Sequence, residues 1–214
     1  MSAVLIPVKK LASSKLRMTS ILSQNERENL VLAMLRDVLS VVSRLDHMNT
    51  YIIGVDKEVE NLSKEFHAIF IGESSDKGLN HAIMEGIRYL SKIGENYILI
   101  LPADIPLIEV DDISNILYFK DEFDVILCPS KDHKGTNALL LKLPTDIQPM
   151  FGESSYQNHI NEAEIKGLKT KTLLINRIAL DIDSIDELKI ITQIKKEINT
   201  IHFLQKIKSY SILP

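Results

Sequence analysis

With 214 residues, 45% of them apolar and 25% charged, and a formal net charge of −4, the chain can bury a good core in one domain and lacks the basic footprint needed to wrap a polyanion such as DNA. Its single cysteine, Cys128, excludes an internal disulfide framework or a cysteine-rich metal knuckle and suits a reducing compartment. No stretch reaches the ~18 apolar residues of a membrane span, and the apolar run before Pro7 is too short for a signal peptide, so a soluble, cytoplasmic protein is expected.

In chain order, AVLIPV (3–8) is a first strand, and the stretch from Asn25 to Leu45 a first helix. That helix opens with a capping box, Ser23 with Glu26, and carries an apolar stripe of Val31, Leu35, Val38, Val42 and Leu45. TYIIGV (50–55), HAIFIG (67–72), NYILILP (96–102), DVILCP (124–129), NALLLK (137–142) and KTLLIN (170–175) follow as strands. Their near-continuous apolar runs predict a mostly parallel sheet covered on both faces. Helices are expected at about 80–93, 111–119, 156–166 and 185–198, the last with a second capping box, Ser184 with Glu187, and Gly94 and Gly167 stand where C-terminal caps belong. Alternating strands and helices predict an α/β fold, read as one domain over 1–214, with the basic tail HFLQKIKSYSILP as a docked or fraying terminus. Cys128 follows the apolar DVIL and reads as a small core residue rather than a catalytic thiol.

In open α/β sheets, ligands collect where loops leave the carboxyl ends of the strands. PVKKLASSKLR (7–17) sets Lys9, Lys10, Lys15 and Arg17 among small residues directly after a strand, which suits a polyphosphate as well as a solvated basic loop; it is neither a Walker loop nor a GxGxxG fingerprint. In LPADIPL (101–107) a lone carboxylate, Asp104, stands between two prolines, either capping a turn or binding a ligand. A second acidic loop, LDIDS (180–184), holds Asp181 and Asp183 two apart, facing the same way if the segment is extended. Two such loops meeting at one sheet edge are what a magnesium ion bridging phosphates would need. KGTN (134–137) and FGESSYQNH (151–159) suggest a second anion site through Thr136, Gly152 and Ser155, the alternative being a turn and an ordinary serine N-cap. His81, His133 and His159 read as packed or surface histidines.

PVK…SKLR, MLRDVL, GLNHAI, LPADIPL, GTNALLL, FGESSYQNH and LDIDS, in that order along nearly the whole chain, together resemble the guanylyltransferases that activate 2-phospholactate or phosphoenolpyruvate with GTP in the biosynthesis of the deazaflavin coenzyme F(420). The resemblance implies a nucleotide-diphospho-sugar transferase (GT-A-like) α/β/α sandwich with a mixed, mostly parallel sheet. It also implies roles for particular residues. Asp104, with Asp181 and Asp183, would hold Mg2+ beside the GTP phosphates; Lys9, Lys15 and Arg17 would hold the triphosphate, with Asp104, Lys15 and Arg17 catalytic; Gly78, Leu79 and Asn80 would lie near the nucleoside; Thr136, Gly152 and Ser155 would hold the phosphorylated three-carbon acid. Where many members carry DGT, this chain has Lys134-Gly135-Thr136.

The implied reaction joins 2-phospho-L-lactate to GTP, giving lactyl-2-diphospho-5′-guanosine and pyrophosphate, with phosphoenolpyruvate as the alternative acceptor. A phosphate dianion is already a competent nucleophile, so no general base is required. A nucleotidyltransferase loading molybdopterin or a sugar phosphate would carry a glycine-rich loop where PVKKLASSKLR stands. A nucleotide-binding regulatory domain without catalysis is disfavoured by the three acids, and a redox dinucleotide module by the missing fingerprint glycines. The expected partners are small molecules, not nucleic acid or membrane, and apolar residues of the C-terminal stretch could form a homodimer contact.

Overall fold

The computed structural model describes residues 2–73 and 75–207. The described strands are β1 (Ser2–Pro7), β2 (Met48–Gly54), β3 (Ile69–Gly72), β4 (Tyr97–Ile100), β5 (Val125–Pro129), β6 (Thr136–Lys142) and β7 (Thr170–Thr172). They form one sheet in the order β3-β2-β1-β4-β6-β5-β7. Each overlaps a run picked out by its apolar residues, because strands covered on both faces need no polar alternation. β6 runs antiparallel to both β4 and β5, whereas β5 and β7 are parallel. The sheet is therefore mixed, as the resemblance implied. A strand buried on both faces carries the same apolar run in either direction; only the short connection from β5 to β6 marks an antiparallel pair.

The helices are α1 (Gln24–Val42), α2 (Lys57–Glu65), α3 (Leu79–Lys92), α4 (Val110–Tyr118), α5 (Ser155–Ile165), α6 (Asn176–Ala179), α7 (Ile185–Thr192) and α8 (Asn199–Lys206). Strand residues alternate between two cores. Val4, Ile6, Leu99, Ile126 and Leu140 pack with α1, α4, α7 and α8 on one face, while Leu5, Ile98, Ile100, Leu127 and Leu139 pack with α3 and α5 on the other. α3 lies close on β1 because Gly86 has no side chain: a Cβ there would come within 2.5 Å of Leu5 Cδ2.

Both expected capping boxes form, and Gly94 and Gly167 take positive φ just past α3 and α5. Several features differ from expectation. α2 and the short α6 were not foreseen, the strand expected over 170–175 stops at Thr172, the helix expected over 185–198 ends at Thr192 as α7, and a further helix, α8, starts at Asn199. Asp37, buried on α1, fixes the start of α8. It accepts hydrogen bonds from the backbone amides of Asn199 (2.7 Å) and Thr200 (2.9 Å) and from both their side chains, so a residue distant in sequence starts the last helix. Ile201 and Leu204 are buried, so α8 is docked; the tail from residue 208 lies outside the described residues. Among the described residues, no helix is long and apolar enough to cross a membrane.

Candidate active site

The basic loop leaves β1 under restraint. Val8 N donates to Ile53 O at 2.8 Å, and Leu11 N donates to Asp56 Oδ2 at 3.0 Å. Two 3-10 turns, Leu11–Ser13 and Leu16–Met18, flank the residues that follow. Beneath them the buried Arg27 guanidinium reaches Ser14 O at 3.5 Å. Between the turns Lys15 takes a left-handed backbone, φ 52° and ψ 39°, a conformation that a non-glycine residue holds only when its surroundings impose it.

Its side chain explains the restraint. Lys15 Nζ lies 2.5 Å from Asp104 Oδ2 and 2.5 Å from Asp183 Oδ1, so the two oxygens are at most twice that distance apart, and the lysine side chain is only 7% exposed. The two acidic loops also meet through backbone, Ile182 N donating to Asp104 O at 3.0 Å. Ile182 itself is fully buried, which leaves Asp181 and Asp183 on the side away from the core. Asp181 Oδ1 accepts from Asn137 Nδ2 at 3.0 Å.

The electrostatics separate these acids. Burial works against the Asp183 carboxylate, but Lys15, and then Arg17 and Lys9, outweigh it and hold the group below the usual carboxylate range. Burial likewise opposes the Lys15 ammonium, and Asp104 and Asp183 more than restore it. Asp181 shifts the other way: burial and then Asp104 push it up to about 6 against the Asn137 hydrogen bond. Among the described residues, no group of three or more His, Cys, Asp or Glu side chains is placed to hold a metal ion. The three acids were expected to gather round one point; instead the Lys15 ammonium stands between two of them.

Among the residues expected near the nucleoside, Gly78 precedes α3 at φ 93°, a value L side chains rarely adopt. Its amide donates to Asp76 Oδ1 at 2.9 Å. Leu79 lines a cleft with Val8, Lys9 and Glu73. Asn80 is engaged elsewhere: its amide donates to Phe151 O (3.0 Å) and accepts from Phe151 N (2.8 Å), tying α3 to the loop before α5.

Next to Phe151, Thr136, Gly152 and Ser155 come together at the start of α5. Gly152 has φ 128°, with open space where a side chain would project; Ser154 is the N-cap and Ser155 the first helical residue. Ser155 Oγ accepts from Thr136 N at 2.9 Å. His159, fully buried, stands behind them. Met150 N donates to its Nε2 at 3.0 Å, so Nδ1 carries the proton of the neutral ring and donates to Thr136 Oγ1 at 3.0 Å. Burial pushes this imidazole down to about 4. Its inward position agrees with the reading of a packed histidine, but its link to Thr136 was not foreseen; only its helical spacing from Ser155 hinted at it. Cys128 is buried, its thiol pushed up to about 12 by burial and then Asp112, which fits an inert core residue.

Three comparisons bear on this arrangement. The family model described as "Guanylyl transferase CofC like" matches residues 2–212. A 2-phospho-L-lactate guanylyltransferase of Methanocaldococcus vulcanius is 37% identical over 186 residues, covering 86% of this chain and 81% of that one. A phosphoenolpyruvate guanylyltransferase of Chloroflexus aggregans is 26% identical, covering 88% of this chain and 96% of that one. Among solved structures, a Desulfovibrio desulfuricans G20 chain provisionally described as a nucleotide-diphospho-sugar transferase superposes with a TM-score of 0.78 at 16% identity, covering 96% of this chain and 94% of that one. That likeness shows the fold.

Proposed function

The chain belongs to the CofC-like guanylyl transferase family, and from that premise we propose that it transfers the guanylyl group of GTP to 2-phospho-L-lactate. An oxygen of the acceptor phosphate forms a bond to the α-phosphorus of GTP, the bond from that phosphorus to the bridging oxygen breaks, and pyrophosphate leaves. The product is lactyl-2-diphospho-5′-guanosine. The observation that carries this reading is the Lys15 ammonium, which draws the basic loop onto Asp104 and Asp183 and so sets cations and carboxylates at one sheet edge.

In this reading Lys9, Lys15 and Arg17 neutralise the triphosphate, because an attacking phosphate dianion and a triphosphate repel one another until their charges are compensated. Thr136 and Ser155 orient the phospho-acid. Each hydroxyl oxygen already accepts from a fixed donor, which leaves its own proton for an anion, and Gly152 admits the ligand to the backbone. Asp104, Asp181 and Asp183 would hold a divalent cation, Mg2+ by the chemistry of the set. All are hard oxygen donors, Asp104 acts on Asp181 as crowded carboxylates do, and magnesium takes one or two carboxylates together with substrate phosphates. When bound, that ion would supply charge neutralisation on the phosphates. We place the protein in the cytoplasm as a single nucleotidyltransferase domain and a homodimer, the last checked by light scattering.

The test incubates the protein with magnesium, each nucleoside triphosphate and each phospho-acid, measuring pyrophosphate and product mass. GTP with 2-phospho-L-lactate is expected to react. Reaction with phosphoenolpyruvate alone would favour the second reading, which the Chloroflexus aggregans relative motivates. No product from any pairing would leave a non-catalytic nucleotide-binding domain.

A further inference from the structure

Beside the basic loop lies a small, partly open cleft at the carboxyl ends of β1 and β3, walled by Val8, Leu79 and Ala82 and bounded by Lys9, Glu73 and Asp76. Lys9 belongs to the loop that carries Lys15, so the cleft opens beside the groups assigned to the triphosphate. Glu73 lines it just past the end of β3. Its backbone amide donates to Gly54 O at 3.0 Å, which anchors the residue to the sheet edge, and its side chain is only 11% exposed. Yet Glu73 Oε1 is buried and has no hydrogen-bond partner among the described residues. The nearest cationic candidate, His81 Nδ1, is 3.8 Å away, too far for a hydrogen bond.

A buried acceptor without a donor is costly, and where one persists in a cleft it calls for a ligand that supplies the donor. Burial and then Asp76 push the Glu73 carboxyl up, against the opposing pull of His81 and Lys77. The required ligand edge can be specified. It must be flat enough for apolar walls, carry a donor toward Glu73, and be joined to a polyphosphate. Guanine presents N1–H and N2–H2 side by side, two donors at the spacing of a carboxylate. Adenine presents an acceptor at N1 and would face the carboxylate with like polarity. Cytosine and uracil are smaller and offer no such pair of adjacent donors.

We infer that Glu73 is the nucleobase-specificity residue of this protein, its carboxylate accepting from the N1–H and N2–H2 groups of guanine in the cleft between Val8 and Leu79. This rests on the guanylyl-transfer reading and supplies what that reading lacks, a residue that distinguishes GTP from ATP. Loss of a buried donor–acceptor pair is the kind of difference that discriminates strongly between otherwise similar substrates.

The test compares wild type with Glu73→Gln, using GTP, inosine triphosphate, xanthosine triphosphate and ATP. Pyrophosphate release with phospho-acid is one readout, and nucleotide binding by thermal shift without acceptor is the second. In wild type, inosine triphosphate, which lacks the 2-amino donor, should be at least ~10-fold poorer than GTP. In Glu73→Gln the amide offers an N–H2 to the 2-oxo group of xanthine and an oxygen to N1–H. The GTP/xanthosine triphosphate preference should then fall by about 100-fold or more, with an absolute gain for xanthosine triphosphate. That gain separates recognition from damage, since an unfolded variant improves with no substrate. An unchanged preference, or an equal loss for all four nucleotides as expected of a ribose contact, overturns the inference. If wild type binds GTP no better than ATP, the inference falls; if it prefers GTP in binding but transfers nothing, guanine reading stands and the transferase reading falls.

Discussion

Around Lys15 the protein sets ionised groups against one another at the edge of the sheet, whereas around His159 it buries neutral groups that hydrogen-bond in a fixed direction. In the first region an ammonium stands 2.5 Å from each of two carboxylates, and Lys9 and Arg17 act on Asp183 as well. In the second, Met150 N, His159, Thr136 and Ser155 form a chain of neutral contacts with no ion pair. The contrast suits two ligands of different charge and reach. A triphosphate needs compensating charge that can shift as bonds break, while a small phospho-acid needs donors held at fixed positions before it arrives.

If charge compensation carries the first region, removing the ammonium should have the largest effect. Lys15→Met keeps the apolar stem and leaves Asp104 facing Asp183, and it is expected to lower kcat/KM by about 10³-fold, some 4 kcal/mol in the barrier. A loss under ~10-fold at saturating magnesium, with the fold intact by circular dichroism, would remove Lys15 from the reaction. Asp104→Asn keeps size and loses charge, and turnover should drop by at least ~10²-fold. Turnover near wild type would discard Asp104 as a ligand of the divalent ion.

The second region should reveal its neutrality through pH. The buried His159 imidazole titrates at about 4, against ~6.5 for an unfolded histidine. Between those values the unfolded chain binds more protons than the folded one. The contribution of this group is therefore complete above ~6.5 and is lost as pH falls toward the folded value, with no further loss below it. Between pH 7 and pH 5 urea denaturation should show a loss of about 2 kcal/mol from this residue. His159→Gln, which cannot titrate, should lack that part of the slope. Equal slopes in the two proteins would mean that the ring is charged or solvated in the fold and that the contrast between the regions is false.

The two regions also differ in how far residue types announce them. Lys9, Lys15, Arg17, Asp104, Asp181 and Asp183 stand out because charges after apolar runs are uncommon, and helix starts such as Ser23 with Glu26 depend on neighbours three residues apart. What could not be read depends on partners far along the chain. Asp56 resembles a helix N-cap, yet its carboxylate holds Leu11 N, and α2 goes unannounced behind it. The start of α8 is set by Asp37 on α1. The direction of β6 leaves no trace in a run buried on both faces. Lys15 stands out in the sequence as a candidate phosphate ligand, but its place between two acids required the meeting of three loops. His159 looked like core because it is core; its proton toward Thr136 follows only from the Met150 amide on the other ring nitrogen.

The smallest expected effect probes whether the neutral region is the acceptor site. Ser155 Oγ accepts from Thr136 N, so its own proton is available to a ligand, and the residue opens α5, where the positive end of the helix dipole favours an anion. Ser155→Ala removes one neutral donor and leaves that helix end and the Thr136 hydroxyl in place. One hydrogen bond to a charged ligand then goes missing, which corresponds to roughly a 10-fold rise in KM for the phospho-acid. The KM for GTP should stay near wild type, because the cations around Lys15 are untouched. Equal rises for both substrates would mean that Ser155 supports the site as a whole, and the boundary between a charge-compensating region and a donor-presenting one would have to be redrawn.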